Sequence, residues 1–227
     1  DEQYQYPIIK GIPRFVDNRN YADSFGLQWN TFSKTQLDSY SGYPISYDRF
    51  WNATNWSPEN LINKWVLDVG CGAGRFAEIA LNAGAKVVAL DYSSAVDACY
   101  ANLKQHPNFH GVQGDIYSLP FKKESFHFVY SLGVLQHTPN VRKAFFMLPP
   151  FLKKKGKLCV DYYSKSWKSS LLPKYWLRPI TKLLEKSTLF SLLKVLVIIF
   201  FPLSWFIGKL PGGYLFKRAI PVADPLY

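Results

Sequence analysis

The sequence predicts an α/β fold in which a doubly wound parallel sheet carries helices on both faces. Three observations predict it. Short apolar runs alternate with helix-length segments from Trp65 to Tyr163. The first of these runs is apolar throughout and ends in a glycine-rich turn that opens a helix. Acidic residues recur at or just beyond the ends of the next two strands.

Residues 1–56 are rich in aromatics, Asn, Ser and turn formers, and Pro7, Gly11, Pro13 and Gly42-Tyr43-Pro44 interrupt any long periodicity. An irregular arm is expected there, with short helices around 34–40 and 46–52. The core domain, 57–163, opens on a helix start. Ser57 can cap, Pro58 fits the first turn where its missing N–H costs nothing, and a short helix runs to Lys64. WVLDV (65–69) is the first strand, and 75–85 the next helix, with Phe76, Ile79, Ala80 and Leu81 apolar. Strands follow at 86–91, 109–115, 125–132 and 156–163, with helices at 93–106 and about 139–153. Residues 164–227 form a third segment, helical over 165–218, in which Lys and Arg interleave with Leu, Trp, Phe and Ile.

Composition narrows the class. Apolar residues make up 48% of the 227, which opposes disorder. Cys71, Cys99 and Cys159 are scattered, so neither a disulfide framework nor a metal site is expected, and a reduced, cytoplasmic chain is the simplest reading. The net charge of +11 is uneven: residues 1–60 carry −2, residues 61–150 carry +2, and residues 151–227 carry +11. The chain begins with Asp1 and its one methionine is Met147, which points to a fragment or a processed chain.

The most specific signal is VLDVGCGAGR (66–75). A buried strand delivers Asp68, and Gly70, Cys71, Gly72, Ala73 and Gly74 then let a ligand approach the backbone before unpaired helical N–H groups. A dinucleotide site wants G-x-G-x-x-G; the G-x-G-x-G spacing here, with an acid two residues before it, suits a ligand without a pyrophosphate. Asp91 closes the second strand, where a carboxylate can accept from ribose hydroxyls, and Asp115 closes the third, placed to accept from an adenine amino group. A bare tight turn and a nicotinamide-binding domain are the competing readings; neither explains Asp115.

Four ordered motifs carry a family resemblance: DVGCGAG (68–74), ALDYS (89–93), GDIYSLPF (114–121) and YSLGVLQHTPN (130–140). Over about 60–163 the chain resembles the Rossmann-like class I S-adenosylmethionine-dependent methyltransferases, of the methyltransferase type 11 kind. The resemblance implies S-adenosyl-L-methionine as cofactor. Asp68 and Gly70, Cys71, Gly72 and Gly74 would hold its methionyl part, and Asp91, with Tyr92 and Ser93, its ribose. Gly114, Asp115 and Ile116 would hold the adenine, and Ser131, Leu132 and Gly133 would form the floor near the sulfonium. YPIIKGIPRFV (6–16) and YADSFGLQWNTFSKTQLDS (21–39) resemble the arm of a subfamily with a preceding zinc ribbon, whose cysteines this chain does not contain. That makes Phe25, Gln28 and Trp29 candidates for a lid and for substrate contact. The family sheet has two strands more than the five recognised here, a second indication of an incomplete chain.

Methyl transfer needs an aligned acceptor, excluded water and, for a hydroxyl or amine, a proton acceptor. His137 follows the fourth strand and is the candidate catalytic base, with a role in shaping the cofactor pocket as the competing reading. Tyr162 and Tyr163 are candidates for the acceptor pocket, although strand alternation sends only one of them to a given face. His106, His110 and His127 read as structural. Residues 189–207 hold one charge, Lys194, and one proline, Pro202, so the segment must be covered by protein or lipid. A substrate lid, a membrane-surface helix and a span of the bilayer are the three readings. Basic residues beside such an apolar run favour an anionic membrane surface or an amphiphilic acceptor over nucleic acid. The expected function is methyl transfer to a small-molecule, lipid or lipid-linked glycan acceptor, with RNA methylation or a catalytically silent cofactor-binding scaffold as alternatives.

Overall fold

A computed structural model describes residues 5–17, 20–162, 179, 181 and 183–209. The chain divides into two units, Asp1–Tyr163 and Ser164–Tyr227.

The first unit is built on five parallel strands: β3 (Trp65–Val69), β4 (Lys86–Asp91), β5 (Phe109–Gln113), β6 (Phe126–Leu132) and β7 (Leu152–Asp161), in the order β5-β4-β3-β6-β7. The helices between them are α5 (Arg75–Asn82), α6 (Ala95–Leu103) and α7 (Val141–Met147). Strand alternation divides the core into two layers. Val66, Val87, Ala89, Phe128 and Tyr130 face a layer with Ala77, Ile79, Ala80 and Cys99 of α5 and α6. Leu67, Val69, Val88, Leu90 and Val129 face the other, with Ala144 of α7, Leu148 and Phe151. Between Lys86 and Asp91 in β4, and up to Asp68 in β3, both faces therefore carry only apolar residues, which is why the two strands were legible as apolar runs.

The arm contains more regular structure than its composition suggests. A two-residue hairpin, β1 (Ile8–Ile9) and β2 (Ile12–Pro13), is followed by α1 (Asp23–Thr31), α2 (Asp38–Ser41), α3 (Ile45–Thr54) and α4 (Pro58–Leu61). The helix expected around 46–52 is α3. The one expected around 34–40 is not: Lys34 to Leu37 turn instead, and Asp38 starts α2, its carboxylate accepting from the backbone N–H groups of Ser46 (2.9 Å) and Tyr47 (2.8 Å) at the start of α3. Ser57 and Asn60 form a capping box on α4, whose first residue is Pro58, but the helix ends at Leu61 rather than Lys64. The helix expected over 139–153 stops at Met147, since Pro149-Pro150 impose a 3-10 turn, and β7 starts at Leu152, four residues early, behind an irregularity between Phe126 and Phe128.

Arg14 fastens the arm to the β5 edge. It is 5% exposed, its Nη1 donates to Gln113 Oε1 at 2.8 Å, and its Nη2 pairs with Asp97 Oδ1 of α6 at 2.5 Å. The opposite edge of the sheet is β7, which carries Lys153, Lys154, Lys155 and Lys157; among the described residues no strand follows it. His127 and His110 lie in β6 and β5: His127 Nδ1 accepts from Trp65 N (3.1 Å), and the His110 ring stacks on Trp65. His106 Nδ1 accepts from Asn108 N.

The second unit is described mainly as one helix, α8 (Lys186–Gly208), with Pro202 inside it; the rest of the helical expectation for 165–218 lies almost wholly outside the described residues. Thr188–Ile207 is long and apolar enough to cross a membrane, by length and composition.

Phe50 of α3 is fully buried, with ring centroids 5.2 Å from Tyr130, 6.2 Å from Phe76 and 6.2 Å from Trp56, so the arm is part of the core. Phe50→Ala should lower stability by about 3–5 kcal/mol, read as an earlier urea midpoint. A midpoint unchanged from wild type would mean that α3 does not contribute to the core.

Candidate active site

The carboxyl ends of β3, β4, β5 and β6 bring the sequence-derived residues together. The turn after β3 is held to β4 by its own backbone: Gly70 N and Cys71 N donate to Leu90 O at 2.7 and 3.1 Å, and Gly72 N donates to Asp91 Oδ2 at 2.9 Å. Gly70 has φ +86°, and a Cβ there would lie 2.4 Å from Val134 Cγ1, so the turn admits only glycine at this position. Gly74, with φ +95°, is the N-cap of α5. The Cys71 thiol is buried near Cys99, and burial pushes both thiols up, which leaves them unreactive.

Asp68 sits beneath this turn. Its register partner is Tyr130 on β6, so the two side chains share a face of the sheet. Asp68 is 2% exposed, and its Oδ2 has no hydrogen-bond partner. Burial pushes its carboxyl up to about 8; the neighbouring Tyr130 hydroxyl pulls the other way, although that hydroxyl too lacks a well-formed hydrogen bond. The Asp91 charge pushes Asp68 further up. A buried acceptor without a partner, two residues before the turn, suits a cationic group of a ligand.

Asp91 is the second anchor. Its Oδ1 accepts from Ser93 N (2.8 Å) and Ser93 Oγ (2.7 Å), and Ser93 Oγ accepts from Ala95 N (3.1 Å) at the start of α6. Burial raises its carboxyl, opposed by the hydrogen bonds from Ser93 and Gly72. Beyond β5, Gly114 N donates to Asp91 O (3.0 Å), Asp115 Oδ1 accepts from Tyr117 N (2.9 Å), and Ile116 packs into the core layer of α7. Strand β5 ends at Gln113, so Asp115 stands in the following turn rather than on the strand.

The residues after β6 divide in their uses. Ser131 Oγ donates to Val69 O at 2.9 Å and Leu132 is core, so their side chains belong to the sheet. Gly133, with φ +72°, presents its N–H to the Asp161 carboxylate. His137 lies in an exposed 3-10 turn, its ring 4.9 Å from Phe25.

The arm covers these loops. Tyr21 stacks on Tyr92 with ring centroids 4.9 Å apart, Phe25 meets His137, and Trp29 lies against the glycine turn, its Nε1 3.3 Å from where a Cβ on Gly72 would stand. Asn20 Nδ2 donates to Tyr92 O (3.0 Å) and Asn30 Nδ2 to Ser94 O (2.9 Å), which latch this segment to the second loop. Gln28 is exposed, and Tyr162 is 67% exposed; Tyr163 lies outside the described residues. Sequence reasoning missed Tyr21, whose hydroxyl is pushed up to about 12, first by burial and then by Asp115. The spacing of four through Tyr21, Phe25 and Trp29 was the available signal. The pair of Arg49 and Asp161 was also missed, because 112 residues separate its members.

These residues fit an adenosyl amino-acid cofactor: a buried carboxyl oxygen without a partner, a turn whose Gly70 leaves no room for a Cβ, and acids at or just beyond successive strand ends. Among the described residues no group of His, Cys, Asp and Glu could hold a metal.

Residues 67–160 match the methyltransferase domain family Methyltransf_11. A ubiquinone biosynthesis O-methyltransferase from Bartonella quintana is 28% identical over 129 residues, 52% of this chain and 49% of that protein. The sterol 24-C-methyltransferase ERG6 of Saccharomyces cerevisiae is 35% identical over 102 residues, 42% of this chain and 26% of that one. The chain thus spans about half, or less, of these curated relatives. A solved structure from Methanococcus maripaludis, described as an S-adenosyl-L-methionine-dependent methyltransferase, superposes with a TM-score of 0.52 at 19% identity, covering 82% of this chain and 88% of that one, which shows the shared fold.

The raised Asp68 carboxyl has a signed consequence. An unfolded Asp ionises near pH 4 while the folded one stays protonated, so this group's contribution to stability is fully present below about 4 and is lost as pH rises toward about 8. Asp68→Asn should flatten this slope in urea midpoints measured from pH 5 to 8. An equally steep slope in the variant would place its origin elsewhere.

Proposed function

The domain spanning residues 67–160 belongs to the class I S-adenosylmethionine-dependent methyltransferases, and from that premise we propose that the chain methylates a small, largely apolar acceptor. The observation that carries the site assignment is the buried Asp68 oxygen without a partner, on the strand that leads into the glycine turn. In this reading Asp68 accepts from the cofactor's ammonium, and Gly70, Cys71, Gly72 and Gly74 admit its methionyl chain. Asp91, with Tyr92 and Ser93, takes the ribose, while Gly114, Asp115 and Ile116 bound the adenine. Gly133 forms the floor below the sulfonium, with Ser131 and Leu132 holding that floor to the sheet.

The cofactor supplies a methyl group already activated as an electrophile on a sulfonium. The protein's contribution is alignment and the exclusion of water. Tyr21, Phe25 and Trp29 supply the cover, and Phe25 holds the ring of His137 at the rim. We assign His137 the acceptor's proton, and Gln28, Trp29, Tyr162 and Tyr163 the surroundings of the acceptor. Support for an apolar acceptor comes from the relatives named for ubiquinone biosynthesis and for a sterol, and from α8. The apolarity of α8 also favours a lipid-like acceptor or a membrane surface over RNA.

Calorimetry with S-adenosylmethionine and S-adenosylhomocysteine tests the cofactor assignment. Asp91→Ala should weaken both by roughly 10-fold or more, consistent with the loss of charge-assisted hydrogen bonds. His137→Ala should leave that affinity in place and lower turnover by about 100-fold or more if the residue receives the proton. Parallel losses of affinity and turnover in the His137 variant would return the residue to a structural role. Flotation with vesicles of mixed neutral and anionic lipid should carry the full chain upward at low salt through α8 and its flanking lysines. A chain that stays at the bottom of the gradient would overturn the membrane-surface reading of α8.

A further inference from the structure

Asp161 and Arg49 form the one half-exposed ion pair among the described residues, and it lies at the acceptor end of the proposed site. Asp161 is the last residue of β7 and is in register with Leu132, the last residue of β6. Its Oδ1 accepts from Gly133 N, the backbone group that begins the loop after β6. Its Oδ2 is 3.3 Å from Arg49 Nη2, and each side chain of the pair is 34% exposed. Arg49 comes from α3 of the arm, and its guanidinium lies 5.6 Å over the ring of Phe76 in the first turn of α5. The pair therefore touches both the helix that follows the glycine turn and the loop that would form the floor.

A methyltransferase must release a product that differs from its cofactor by one methyl group and one positive charge. In the transfer, the acceptor's lone pair forms the new bond to the methyl carbon, the S–CH₃ bond breaks, and its electron pair stays on sulfur. The sulfonium becomes a neutral thioether, and the acceptor's proton leaves to a base. Groups that bind the ammonium, the ribose or the adenine meet the same chemistry in both molecules, so Asp68, Asp91 and Asp115 discriminate little between them. Groups near the sulfur, where the methyl and the charge are lost, can do so, and the charge acts over the longer range.

We propose that the Asp161 carboxylate, partly offset by Arg49, sets the preference of this site for the sulfonium cofactor over its thioether product. The inference rests on the assignment of Gly133 to the sulfonium floor. Asp161 is hydrogen-bonded to that residue, and Arg49 is the cation paired with it. The two charges act in opposite directions: the carboxylate favours a cationic sulfur and the guanidinium opposes it.

The test is the ratio of dissociation constants for S-adenosylhomocysteine and S-adenosylmethionine, measured by calorimetry at low salt, where screening is least. Asp161→Asn keeps an oxygen that can accept from Gly133 N while removing the charge. It should lower the preference for the sulfonium by about 3- to 10-fold, the loss falling on S-adenosylmethionine. Arg49→Gln should raise the preference by a similar factor. A structural brace would weaken both ligands together in both variants, and that outcome, or a ratio unchanged in both, would overturn the inference while leaving the cofactor assignment intact. If the wild-type chain bound neither ligand, the cofactor assignment would fail and this inference with it.

Discussion

The hydrogen bond from Gly72 N to Asp91 is the constraint on which the rest of the site depends. A turn of small residues has no side chains with which to hold itself, so its backbone groups must find partners elsewhere. Here they find them on β4: the Leu90 carbonyl takes two N–H groups and the Asp91 carboxylate takes a third. The same carboxylate accepts from Ser93, which in turn accepts from the first N–H of α6. One side chain thus organises the end of β3, the end of β4 and the start of α6. The glycines are permissive, and Asp91 converts that permissiveness into a single conformation.

The arm builds outward from this centre. Arg14 reaches Gln113 and Asp97, and Gln113 Nε2 donates to Tyr92 O at 3.2 Å, so the guanidinium supports the turn after Asp91 from its far side. Asn20 donates to the same carbonyl from the cover side. A buried guanidinium with a carboxylate partner is weak evidence for net stability, because desolvation offsets most of the attraction. Its contribution is geometric: it ties one end of the arm to β5, while Phe50 ties the other to the core.

The sheet was legible in the sequence and most of the arm was not, for physical reasons. WVLDV and KVVALD are buried on both faces, and the structure places β3 and β4 at 65–69 and 86–91 as read. Helix boundaries were less accurate where a side chain changed the local rules: α6 waits until Ala95 because Ser93 turns back to Asp91, and α7 ends early at the Pro149-Pro150 pair. In the arm, α1 escaped notice because its helical signal was only the spacing of Tyr21, Phe25 and Trp29, set among Asn, Ser and Gly. The site's acids and glycines were readable because a strand end followed by glycine is a local pattern. Tyr21, Arg14, Arg49 and Asp161 were not, because each takes its meaning from a partner distant in sequence.

The β7 edge has a consequence of its own. An edge strand offers a row of backbone donors and acceptors that another strand of either direction could use, and among the described residues β7 is such an edge. Four lysines in the span 153–157 place like charges along this edge. Two copies meeting edge to edge would bring those charges into register and repel, whereas an uncharged or acidic strand would meet no such barrier. Among the described residues, the lysines thus disfavour pairing of this edge with a second copy of itself through like-charge repulsion.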